Sequence, residues 1–321
     1  MMDTSERIIG IFEGGNPGPL LIAVGAVHGN EPAGVLAIEA FLEMVKVQTV
    51  SPELCFKGNL IGVVGNLAAY KANRRFFDHD LNRKWSVSLI EEMVSYSNGE
   101  ENALQGEEKE MYALIRLMLE AVALYKPSEV IILDLHTTSA SGGVFSIPIE
   151  SDQGSVALAS LLPAPVVLGL TNGFTGTFLQ GISEVLSSYS LHPCPVRGIA
   201  FESGQHLEEA SVQRAIFALS VVAHAVGCMD SMELAEMEKA YFRSVLPRMV
   251  RIFHKHSIDT GTTFSMFPGY VNFQYIEKGE QLARGSNGLI CAPSSGYLLM
   301  PLYQSQGSEG FFLAEEVDRF D

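Results

Sequence analysis

The chain has little cysteine, little basic charge and no long hydrophobic run. Its four cysteines, Cys55, Cys194, Cys228 and Cys291, stand far apart, with no CxxC pair. That excludes a dense disulfide framework and predicts reduced, buried thiols in a cytoplasmic protein. Lys and Arg number 21 against 37 Asp and Glu, a net charge of −16. Such a surface repels phosphate backbones and anionic lipid, which argues against nucleic-acid or membrane partners. The longest apolar runs, LLIAVGAV and VIILDL, fall far short of a membrane span. The opening MMDTSERIIGIFEGG lacks a basic stretch leading into an apolar core, so no signal peptide is expected. A G-x-S-x-G elbow, a Walker A loop and G-x-G-x-x-G are all missing, which weakens a serine or nucleotide-phosphate reading.

What is there suffices for a large core. Of 321 residues, 47% are hydrophobic and 18% charged, which excludes intrinsic disorder. At roughly 100–200 residues per domain, two units are expected. Pro19 to Val27 (PLLIAVGAV) is a short continuous apolar run, the pattern of a strand buried on both faces. After Pro32, apolar residues recur at helical spacing: Val35, Ile38, Phe41, Leu42 and Val45. Further strands are predicted at 59–65, 130–135, 165–168 and 198–201. Helices are predicted at Glu107–Tyr125 and Glu208–Val226, with a loop and short helix over 86–106. The alternation predicts an α/β fold with a mostly parallel sheet between helices. After about residue 240 short alternating runs and Gly-rich turns predict a small all-β unit. The expected division is therefore residues 1–240 and 241–321.

Four clusters carry chemistry. In GAVHGNEPAG, His28 and Glu31 follow a buried strand, where an α/β sheet collects ligands. The pair can share a metal ion; the plain alternative is a turn with a solvated Glu. In VIILDLHTTSASGG, His136 ends another buried strand, and Asp134 shares its face because strand side chains alternate. Asp134 can orient a metal-bound His136 or His28, or merely cap the Ser/Thr-rich turn. Two His and one Glu leave a fourth tetrahedral position for water, as in catalytic zinc sites. In NRRFFDHDLNRKW, Arg75, Asn82 and Arg83 suit a carboxylate or an oxyanion, or else balance Asp78 and Asp80 at the surface. Lys71, Arg74, His79 and Lys84 belong with surface pairing. In GIAFESGQH, Glu202 lies where a general base is wanted, or is an ordinary strand-end Glu. His192 and His206 are expected to be structural or exposed.

Taken in order, GAVHGNEPAG, RFFDHDLNR, DLHTTSASGG and FESG resemble the succinylglutamate desuccinylase/aspartoacylase family over residues 8–227. The resemblance implies a zinc-dependent amidohydrolase on a carboxypeptidase-like α/β domain. It implies one zinc per chain on His28, Glu31 and His136, carbonyl polarisation by Arg75, substrate carboxylate binding by Asn82 and Arg83, and Glu202 as base. Aspartoacylases carry a further Arg and Tyr upstream of that Glu. Here SSYSLHPCPVRGIAFE offers Arg197 and His192 at other offsets, and PLYQSQGSEGFF has no clear match for a C-terminal tyrosine. The resemblance therefore implies amide hydrolysis and does not fix N-acetylaspartate as the substrate. The segment YIEKGEQLARGSNGLICAPSSGYLLMP resembles a lipoyl/biotinyl barrel-sandwich hybrid without its carrier lysine, and is expected to be structural or to cover the active site.

The leading expectation is a zinc hydrolase that cleaves the amide of an N-acyl amino acid or similar small molecule. A metallocarboxypeptidase acting on short or modified peptides is the alternative, and a non-catalytic binding module a third. Oligomeric state stays open, a homo-oligomer included.

Overall fold

A computed structural model describes residues 6–48, 56–96, 99–170, 176–229, 234–242 and 246–318. The first half runs β1 (Ile8–Glu13), β2 (Asn16–Gly25), α1 (Ala33–Gln48), β3 (Lys57–Val64), α2 (Leu67–Lys71), α3 (Val87–Ser95), α4 (Gly106–Tyr125) and β4 (Val130–Thr138). There follow β5 (Phe145–Pro148), α5 (Gln153–Ala159), β6 (Val166–Leu168), α6 (Phe178–Tyr189), β7 (Val196–Gln205), α7 (Glu209–Ala225) and α8 (Ala235–Tyr241). The last part is β8 (Met249–Ser257), β9 (Phe264–Met266), β10 (Tyr275–Ile276), β11 (Gln281–Gly285), β12 (Gly288–Cys291), β13 (Gly296–Leu299) and β14 (Glu309–Glu316).

An 11-stranded mixed sheet orders these strands β1-β3-β2-β4-β7-β5-β6-β8-β14-β13-β10. Its centre, β3, β2, β4 and β7, is parallel. The absence of alternation in PLLIAV has a direct cause: both sides of β2 are covered. Leu21 and Ala23 pack with α1 and α7 on one face. Leu20, Ile22 and Val24 pack with α4 and α6 on the other. The stripe Val35, Ile38, Phe41, Leu42 and Val45 is buried as its spacing predicts. Lys126 closes α4 in a left-handed conformation just before Pro127, which cannot continue a helix.

The α/β class and the all-β C-terminal part are both present. The hydrogen-bonded sheet nevertheless continues past residue 240, because β8 pairs in parallel with β6. A second, 3-stranded sheet, β12-β11-β9, stacks on the far end of the large one. Met266, Leu282, Leu298, Phe311 and Leu313 fill the space between them. The alternate residues Phe312 and Ala314 of β14 face a separate cluster with Phe145 and Val167 of β5 and β6.

The thiol expectation needs correction. Among the described cysteines only Cys228 is buried; Cys194 is half-buried and Cys291 exposed, because it closes an outward-facing strand of the small sheet. Cys55 lies outside the described residues. Among the described residues, no helix is long and apolar enough to cross a membrane.

Candidate active site

The neighbouring parallel strands β2, β4 and β7 end side by side. Gly25 is in register with Leu135, and His136 with Glu202, so motifs far apart in sequence meet at one edge. The turn after β2 needs glycine for close approach rather than for unusual dihedrals. A Cβ on Gly25 would lie 2.5 Å from the Val35 backbone nitrogen, and one on Gly29 2.2 Å from the Ala69 carbonyl carbon.

Donor atoms of His28, Glu31 and His136 lie within 4.8 Å of one another, and all three residues are buried. Both rings turn Nδ1 towards Glu31: His28 Nδ1 is 2.9 Å from Oε1 and His136 Nδ1 is 3.1 Å from Oε2. The outer nitrogens are held by carboxylates. His136 Nε2 lies 2.9 Å from Asp134 Oδ2, and His28 Nε2 lies 3.0 Å from Asp80 Oδ1. Such contacts fix ring orientation and raise basicity at the inner nitrogen. Asp134 therefore serves His136, not His28. Asp80 is a site residue that sequence reasoning misses. It is half-buried, and Arg75 Nη2 donates to its Oδ2 at 3.2 Å.

The electrostatics follow from burial and pairing. Burial pushes Glu31 up, but the two imidazoles outweigh it and hold its carboxyl well below the usual range. Burial likewise opposes ionisation of Asp80, which His28, Arg75 and Arg83 overcome. Burial works against His136⁺, yet Asp134 and Glu31 hold the ring well above its ordinary value. For Glu202 burial wins, and its carboxyl is pushed up to about 7.

These residues fit a cation. The carboxylates of Glu31 and Asp134 act on that of Glu202, and Asp134 Oδ1 and Glu202 Oε2 are buried without hydrogen-bond partners. The two inner nitrogens and the Glu31 carboxylate can hold a metal ion.

The loop carrying Arg75, Asn82 and Arg83 is positioned from below by Glu107, at the start of α4. Its carboxylate accepts the backbone N–H groups of Phe77 (2.7 Å), Asp78 (3.0 Å) and His79 (3.1 Å). Asn82 Oδ1 accepts the Phe178 N–H at 2.8 Å, tying the loop to the start of α6. Arg75, Asn82, Arg83 and Glu202 all line one cavity with the His–Glu–His group. Lys71 and Lys84 pair with Glu6 and Glu108 as expected of surface residues, and Arg74 lies over the Phe77 ring.

Other residues fall differently. His206 is not remote: its Nδ1 is 2.8 Å from Thr137 Oγ1, beside the site, and burial lowers its pKa. Arg197 pairs with Glu129 at 3.1 Å near the opposite end of β7 from Glu202, and His192 contacts the Pro127 carbonyl. Neither lines the cavity, so neither replaces the missing acyl-side arginine. Met300, Leu302, Gln304, Gly307 and Glu309, from the segment that follows β13, also line the cavity. Tyr303 N–H donates to Ser139 Oγ (3.0 Å), Asn30 Nδ2 to Gln304 Oε1 (3.0 Å), and Arg83 meets Glu309. Tyr303 itself points away; its hydroxyl donates to the Phe267 carbonyl at 2.9 Å.

Residues 17–193 match the family model for the succinylglutamate desuccinylase/aspartoacylase catalytic domain. The chain belongs to this family. The matched span contains the His–Glu–His group, Asp134 and the Arg75–Arg83 loop, and ends before Glu202. A probable aspartoacylase from Acaryochloris marina is 28% identical over 144 residues, 44% of this chain and 42% of that protein. The match thus spans about two fifths of that relative's length. In fold, the chain resembles the family's succinylglutamate desuccinylase from Vibrio cholerae (TM-score 0.60, 15% identity, 94% of this chain and 82% of that one). It also resembles murine aminoacylase 3 (TM-score 0.58, 19% identity, 94% and 96%).

The Glu202 carboxyl gives the metal-free protein a distinctive pH response. Its folded pKa of about 7 exceeds the ordinary carboxyl value of 4.5, so the native state binds this proton more tightly than the unfolded chain. Its contribution is complete below about pH 4.5 and is lost as pH rises towards 7, by about 3 kcal/mol. Urea unfolding of chelator-treated wild type and Glu202→Gln at pH 5 and 7.5 measures it. Wild type is expected to lose stability relative to the variant across that window; a constant difference would mean the carboxyl titrates normally.

Proposed function

We propose that the protein is a zinc-dependent hydrolase that cleaves the amide bond of an N-acyl amino acid or related small molecule. The observation that carries this reading is Glu202: buried, with Oε2 unpartnered, in one cavity with the His28–Glu31–His136 donor set. Two imidazoles and a carboxylate match catalytic zinc, with one position left open. Zinc held by these three residues supplies Lewis acidity and makes water a nucleophile near neutral pH.

The remaining roles belong to the chain. Glu202 accepts the proton of the attacking water and returns it to the leaving amine, a task that a buried carboxylate with an unpartnered oxygen beside the donor set can perform. Arg75, whose buried Nε has no partner, offers a donor to the developing oxyanion. Asn82 and Arg83 receive the carboxylate of the amino-acid part. Asp134 and Asp80 keep the two imidazoles in place. Residues 1–240 form the unit with the reacting groups, and residues 241–321 the unit that covers the cavity.

The test is protein purified without added metal, analysed for metal and assayed on N-acyl amino acids, their amide-blocked versions and dipeptides. Near-stoichiometric zinc and turnover of the acyl amino acids are expected. Full activity without metal would end the mechanism. Turnover of dipeptides alone would make the protein a metallocarboxypeptidase, and equal turnover of amide-blocked substrates would remove the carboxylate role of Asn82 and Arg83.

A further inference from the structure

Arg83 carries a carboxylate of its own chain. Its Nε lies 3.4 Å from Glu309 Oε1 and its Nη2 3.2 Å from Oε2, a two-point contact across one edge of the guanidinium. Nη1 donates to the Asn82 carbonyl at 2.8 Å, which holds the group against its own loop. Both side chains line the cavity of the His–Glu–His group. Two parallel N–H groups facing two carboxylate oxygens is how arginine receives a carboxylate ligand. Glu309 therefore takes the edge of Arg83 best suited to the carboxylate of a substrate.

The contact is loose. Charge-assisted pairs of this kind close to about 2.7–2.9 Å. Another two-point pair in the chain comes closer to that: Arg214 Nη1 and Nη2 lie 2.9 and 3.0 Å from the Glu208 carboxylate. The Arg83 side chain is 25% exposed, and partly exposed ion pairs are weak. Glu309 is the first residue of β14, beside a shift of register against β8. Ser308 Oγ donates to its Oε1 at 2.8 Å, a partner that does not depend on Arg83.

We propose that Glu309 is a built-in competitor for the substrate's carboxylate: it occupies Arg83 and gives way when the carboxylate of the amino-acid part arrives. This rests on the reading that gives Arg83 that carboxylate. The competition is the same in the ground and transition states, so it weighs on KM rather than kcat. Glu309 lies 226 residues from Arg83, so the C-terminal part of the chain tunes a site whose reacting groups lie elsewhere.

The test compares N-acetylated alanine, leucine and phenylalanine with their amide-blocked versions on metal-loaded protein. Kd is measured by calorimetry on Glu202→Gln and on Glu202→Gln/Glu309→Gln. Kinetics are measured on wild type, Glu309→Gln, Arg83→Gln and the Arg83→Gln/Glu309→Gln double variant. Glu309→Gln is expected to lower Kd and KM for the acids about two- to fivefold, with no gain for the amides. The gain should vanish when Arg83 is already Gln. Unchanged or weaker binding of the acids in Glu309→Gln would overturn the competitor, and turnover of the acids by wild type would then leave the deacylase reading standing. A gain that persists without Arg83 would also overturn it, since simple repulsion and not occupancy of Arg83 would be the cause. A gain in binding without turnover by any of the proteins would sustain the competitor and end the deacylase reading. Binding of none of the compounds would end both.

Discussion

Replacing Glu202 by Gln is expected to lower kcat by about 10²–10⁴-fold, the usual contribution of a general base, with metal content and fold retained. The residue lies within β7 in register with His136, so its position is set by the sheet and not by a loop. Gln keeps the shape and removes only the ability to take a proton. It also removes one negative charge from a site where Glu31 and Asp134 already act on this carboxyl, so no loss of stability is expected near neutral pH. Steady-state kinetics on the best acyl substrate, with metal analysis of the same sample, decides the matter. Near wild-type kcat would make Glu202 an ordinary buried carboxyl. Loss of the metal would instead make it a ligand.

The second large effect concerns the carboxylates behind the imidazoles. Asp80→Asn and Asp134→Asn are each expected to weaken metal binding by about 10–100-fold, the range seen when a residue supporting a metal-bound His is altered. Asp134 holds Nε2 of His136 and Asp80 holds Nε2 of His28, each within 3.0 Å. An amide in either place loses the charge that favours a proton on the outer nitrogen, and with it the basicity of Nδ1. The double variant should bind more weakly than either single one, since different rings are affected. Competition with a chromophoric chelator reads the affinities. Unchanged binding in Asp80→Asn would confine that residue to its contact with Arg75.

The agreement between sequence and structure has a clear boundary. Continuous apolar runs located β2 and β4 because a strand buried on both faces cannot alternate. Helical spacing located α1, and the period of two placed Asp134 beside His136, a relation local to one strand. The same locality made His28 and Glu31 legible as a pair, and the strand-end position of Glu202 marked it as a candidate. Charge also limited the classes of partner before any fold was known.

Local pattern did not reach what depends on the far side of the molecule. Asp80 reads as a surface partner of neighbouring arginines, yet it is half-buried against His28, 52 residues away. Glu107 reads as an acidic helix start, yet its carboxylate holds the loop that carries Arg75. His206 and Glu309 gained their places only when β7 and β14 were set beside their neighbours. Arg197, the nearest basic residue upstream of Glu202, proved to lie near the other end of its strand. The sequence by itself determined the α/β class and the His28–Glu31–His136 group, because both rest on side-chain periodicity and on residues at strand ends. The tertiary structure alone decided which carboxylate serves which imidazole and that Arg83 is met by Glu309, because those contacts join segments that no short-range spacing relates.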